Sequence, residues 1–101
     1  MRSNMAKKEE DTAKEYKILK PTGREFIKMG FQLVKKEGEL TSLQRGGIEI
    51  TKLPPQTDFT EVLDIVQGWL EVVRETHIKS GDWDADWKPY LARMGLLVLK
   101  R

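Results

Sequence analysis

An α-rich α+β domain is what the sequence predicts, with helices at about 22–37, 59–78 and 87–94 and a short sheet from 48–53 and 96–100. Three observations carry this reading. Apolar residues recur at helical spacing from Phe26 and again from Val62. Ile48–Leu53 alternates apolar and polar residues, the period of a half-buried strand. Glycine or proline closes each run. The alternative is an all-α three-helix domain in which the two extended segments stay unpaired.

Residues 1–15 carry almost no apolar side chain beyond Met and Ala, too little to offset their ordering entropy, and are expected to form a disordered charged arm. Residues 16–101 are then a single globular domain. Tyr16–Lys20 is a short strand or extended entry that Pro21 closes. From Phe26, steps of about 100° place Ile27, Met29, Gly30, Phe31, Leu33 and Val34 on one broad arc. Arg24, Lys28, Gln32 and Lys35 fall opposite, and Gly38 supplies a stop. The Glu39–Gly47 stretch is turn-like and ends on Gly46-Gly47; Pro54-Pro55 ends the strand that follows.

The second helix has Asp58 as N-cap with Glu61 three residues on, the spacing of a capping box. Its apolar face, about 180° wide, runs through Val62, Leu63, Ile65, Val66, Trp69, Leu70, Val72 and Val73. Asp86 caps the third helix, with Pro89 in its first turn, where no intrahelical N–H is needed. Leu96–Lys100 is the last strand and the expected partner of Ile48–Leu53. The core is expected to gather Phe26, Phe31, Leu33, Val62, Ile65, Val66, Trp69, Leu70, Val73 and Leu91.

Composition narrows the function classes. In 101 residues there is room for one core, and 34% of them are charged, against roughly 25% in ordinary domains. Without cysteine there is no thiol nucleophile, disulfide or Cys-type zinc site, and a single His excludes any two-His metal motif. No cofactor and no metal are expected. The Asp82, Asp84, Asp86 triplet has the spacing that opens a calcium loop. Its sixth position, however, is Trp87 where glycine is required, and its twelfth is Arg93 where a bidentate Glu is required. His77 has no nucleophile motif around it, so the chain is expected not to be an enzyme.

The net charge of +2 hides a split: 12 Lys/Arg against 8 Asp/Glu up to Leu53, then 6 against 8. Two binding readings follow. A non-catalytic protein–protein interaction module, such as a regulator, inhibitor or assembly adaptor, would use the acidic residues Glu61, Asp64, Glu71 and Glu75. Trp83 and Trp87 would serve as aromatic anchors. Alternatively, a nucleic-acid-binding accessory protein would use Arg24, Lys28, Gln32, Lys35 and Lys36, with lysines of the arm, against phosphates. The commoner explanation of each charged set is a solvated helix face. The expected partner is another protein, with nucleic acid as the alternative; a homodimer stays open. No apolar run approaches membrane-spanning length, and the expected location is the cytoplasm.

Overall fold

The computed structural model describes residues 16–99; the expected arm at 1–15 lies outside them, as does Lys100 of the last expected strand. Among the described residues the architecture is α+β, with three helices and five strands in two small antiparallel sheets. Contacts group the chain into two units. One is Lys20–Val66, and the other joins Met1–Leu19 to Gln67–Arg101.

The Lys20–Val66 unit begins with helix α1 (Gly23–Lys28) and continues as a meander of β2 (Phe31–Lys36), β3 (Glu39–Arg45) and β4 (Ile48–Lys52), in the order β2-β3-β4. At the start of α1, the Thr22 backbone N–H and hydroxyl both donate to the Glu25 carboxylate, at 3.0 and 2.8 Å. The helix expected over 22–37 is therefore only its first third. Gly30, at φ +85°, takes the left-handed conformation that ends helices, and its N–H bonds the Ile27 carbonyl at 3.0 Å. Beyond it, Phe31 is buried and Gln32 exposed, the alternation of a strand.

The expected turn over 39–47 is mostly strand. Glu37 and Gly38 both have positive φ, as do Gly46 and Gly47, and these two tight turns join β2 to β3 and β3 to β4. Thr41 is an extra residue on β3, because Val34 pairs with Ser42 and Lys35 with Leu40. Ile50 is likewise extra on β4. β4 pairs with β3, so the expected pairing of 48–53 with 96–100 does not form. In this unit Phe26, Met29, Phe31, Leu43, Leu53, Val62 and Val66 are buried. Phe26 stacks on Phe31 at 5.4 Å and meets the edge of Phe59 at 5.2 Å.

Helix α2 (Phe59–Ser80) is the longest element, slightly longer than expected. Its residues up to Val66 belong to the meander unit and those from Gln67 to the other. The capping box forms: the Glu61 N–H donates to Asp58 Oδ1 at 2.9 Å and the Asp58 N–H to Glu61 Oε1 at 3.1 Å. The apolar face is narrower than 180°, because Val72 is 63% exposed.

In the other unit, β1 (Tyr16–Ile18) pairs with β5 (Leu97–Leu99). Two side chains of α2 fasten β1: Gln67 Nε2 donates to the Ile18 carbonyl and Arg74 Nη1 to the Tyr16 carbonyl, each at 2.9 Å. A π-helical turn, Trp83–Trp87, leads into α3 (Lys88–Arg93). The N-cap of α3 is thus Trp87 rather than Asp86, and Pro89 sits one position earlier in the helix than expected. Ile18, Leu70, Trp83, Leu91 and Leu96 are buried here. Of the expected core, Leu33, Ile65, Trp69 and Val73 are only half-buried.

Candidate functional site

The residues singled out as a protein-docking face are largely engaged within the chain. Glu61 is committed to the capping box. Asp64 pairs with Lys20 at 3.0 Å and Glu71 with Arg74 at 2.7 Å. Glu71 and Glu75, like charges four apart on α2, repel each other, and Arg74 relieves that cost from inside the chain. Glu75 is exposed and forms no ion pair among the described residues.

Trp83 cannot serve as a surface anchor, because it is 3% exposed; its Nε1 has no hydrogen-bond partner among the described residues. Trp87 is half-buried, edge-on to Trp69 at 6.1 Å and to Tyr90 at 5.7 Å, with the His77 ring at 5.5 Å. His77 Nδ1 lies 2.7 Å from Asp82 Oδ1, which also accepts from the Ser80 hydroxyl at 2.6 Å. These bonds, Ser80 first and His77 second, hold the Asp82 carboxyl below its ordinary range.

The basic stripe loses its helical premise. Arg24 and Lys28 lie on α1, exposed. Gln32, Lys35 and Lys36 are exposed on β2, where alternation puts Gln32 and Lys36 on one face and Lys35 on the other with Phe31 and Leu33.

What the sequence did not point to is a concavity within the meander unit, about 460 Å³ in volume. Leu33 and Lys35 of β2, Gly38 of the hairpin turn and Glu39 and Leu40 of β3 form one side. Gln56, Thr57 and Phe59 form the other. The bulge explains why Leu40 reaches it. Leu40 and Leu43 are three apart, yet the extra Thr41 puts Leu40 on the face that carries Leu33 and Leu43. Leu33, Leu40 and Phe59 make the apolar part, and Lys35, Glu39, Gln56 and Thr57 the polar part.

The second wall is a turn of defined geometry. Pro55 fixes its own φ, the Thr57 N–H donates to the Pro54 carbonyl at 3.3 Å, and the Thr57 hydroxyl donates to the same oxygen at 2.6 Å. Gln56 then occupies the position that a type II turn ordinarily gives to glycine, at φ +65°. Glu37, between β2 and β3, is the other non-glycine with positive φ among the described residues. Gln56 lines this concavity, and Glu37 directly precedes Gly38, which also lines it. Backbone strain of this kind clusters at active sites, ligand clamps and switch regions. The one legible signal was Pro54-Pro55-Gln56-Thr57, a turn sequence with glutamine where glycine would be easiest.

Its size falls in the range of ligand pockets, and its apolar floor with a few polar groups is the usual composition of one. Among the described residues no group of three or more His, Cys, Asp or Glu is placed to hold a metal ion. None of the described helices is long and apolar enough to cross a membrane. No family model, curated protein or solved structure matches the chain.

Proposed function

We propose that the chain is a non-catalytic protein–protein interaction module, a regulator, inhibitor or adaptor, and that it receives an apolar side chain of its partner in the concavity of the meander unit. The single observation that carries this is Gln56 held in a left-handed backbone at the rim of an apolar-floored pocket. A module of this kind needs an anchor pocket with a polar rim, and burial of one apolar anchor supplies much of the affinity of such contacts. The acidic face of α2 is a weaker candidate, since Glu61, Asp64 and Glu71 already have partners inside the chain.

The experiment compares proteins captured from the native source by the wild type, by Leu40→Ser and by Glu71→Lys with Glu75→Lys, with urea midpoints confirming that each is folded. Loss of the captured partner with Leu40→Ser, and its retention with the charge reversals, supports the pocket. Retention with folded Leu40→Ser contradicts it. Nucleic-acid binding is the second reading from sequence. No observation on α1 or β2 favours it, because Glu25, Glu37 and Glu39 are interspersed with the basic residues.

A further inference from the structure

Two adjacent lysines at the end of β2 stand in different surroundings. Lys36 lies directly across the ladder from Glu39, a carboxylate, whereas Lys35 lies across from the uncharged Leu40. Opposite charges that face each other across a strand pair attract, so Glu39 answers Lys36 and not Lys35. Lys35 forms no ion pair among the described residues. Alternation puts it on the face of β2 that carries Leu33, and both line the concavity. Glu39 lines it as well, but the register gives its side chain the face of Lys36.

The opposite wall has the same bias towards donors. The Thr57 hydroxyl donates its one proton to the Pro54 carbonyl, at 2.6 Å. The Gln56 carboxamide is engaged by no described residue. An ammonium and a carboxamide thus remain to meet a ligand, above an apolar floor of Leu33, Leu40 and Phe59. Such a lining complements an apolar group with a carboxylate, which only accepts hydrogen bonds, close beside it.

An internal acidic–apolar segment would need two residues to supply that pair. Neighbours on an extended chain point to opposite sides, and the next residue on the same side is about 7 Å along. A C-terminal residue carries side chain and carboxylate on one Cα. The volume of about 460 Å³ also lies near the lower end of ligand sites, which span roughly 300–1,000 Å³. It suits a single residue better than a long segment.

We infer that the concavity takes the apolar C-terminal residue of a partner protein. Its side chain packs against Leu33, Leu40 and Phe59, and its carboxylate accepts from the Lys35 ammonium and the Gln56 carboxamide. This rests on the proposed protein-binding reading of the same pocket and specifies what the partner presents. Lys35 is exposed, so the charge contributes selectivity more than strength.

The test uses the full chain, isotope-labelled, in NMR titrations with the peptide acetyl-Ser-Gly-Ser-Gly-Leu. One version ends in a free carboxylate and the other in a carboxamide. The free acid is expected to shift the amides of Lys35, Gly38, Gln56 and Thr57, and the carboxamide to bind about fivefold or more weakly. Lys35→Met should bring the two peptides to nearly equal affinity, while Lys36→Met should keep them apart. Added salt should weaken the free acid far more than the carboxamide. If both peptides bind the wild type alike and shift the same amides, carboxylate capture is wrong and the pocket reading stands. If neither shifts Gln56 or Thr57, the C-terminal inference falls alone, because the pocket reading is decided by capture with folded Leu40→Ser.

Discussion

Arg45 donates its Nε–H to the carbonyl of Met29 at 2.9 Å, and its guanidinium lies 5.8 Å from the centre of the Phe31 ring. The end of β3 thereby satisfies a carbonyl at the end of α1, one of the groups a helix leaves without an internal partner. Arg45→Ala removes both contacts. It is expected to lower stability by about 1–3 kcal/mol, read as a fall in the urea midpoint at unchanged slope. Arg45→Lys should recover only part of the loss, because an ammonium lacks the planar fork that spans carbonyl and ring.

Gly30→Ala separates the observed helix-then-strand from a continuous helix by its sign. At φ +85° an alanine is strained, and the site is otherwise open, so the cost is conformational, about 1–2 kcal/mol of stability lost. Inside a continuous helix the same change would stabilise by about 1 kcal/mol. Thermal or urea denaturation of the pair decides between them.

That position also shows why the sequence was legible in some places and not in others. Phe26, Met29, Phe31 and Leu33 satisfy helical spacing as well as they satisfy a helix followed by a strand. Only the backbone freedom of Gly30 separates the two, and a glycine inside a pattern signals a stop weakly. β3 was hidden by its own bulge: Thr41 changes the phase between Leu40 and Leu43, so the segment shows no clean alternation. With β3 unseen, Ile48–Leu53 lacked its true partner, and β5 was assigned to it in place of β1.

α2 was legible because its cap and spacing are local properties of Asp58, Glu61 and the apolar positions after them. The pocket was not, since its walls join residues 16 or more apart in the chain through a pairing the sequence does not announce. Trp83 and Trp87, similar in sequence context, differ in burial for the same tertiary reason.

Acid should destabilise the fold through two carboxylates. Glu25 is held below its ordinary range mainly by the Thr22 backbone N–H and then by the Thr22 hydroxyl, and Asp82 mainly by Ser80 and then His77. Both therefore bind protons less readily folded than unfolded. Their contribution is present above the ordinary carboxylate range and lost as pH falls through the folded values. Thermal midpoints measured from pH 7 downward should drop in that window. Glu25→Gln and Asp82→Asn should each make the drop shallower, and equal slopes in wild type and variants would refute the assignment.

Gln56→Gly joins stability to function. Glycine takes the left-handed position without penalty, so the urea midpoint should rise by an amount equivalent to about 1 kcal/mol. Gln56→Val, β-branched, should lower it. A residue kept where glycine is more stable is expected to act through its side chain.

The most direct measurement is the affinity of Gln56→Gly for the partner protein captured by the wild type, set beside that of the wild type by calorimetry. A more stable variant that binds several-fold more weakly is the expected result. Binding equal to wild type would contradict the assignment of this pocket as the partner site.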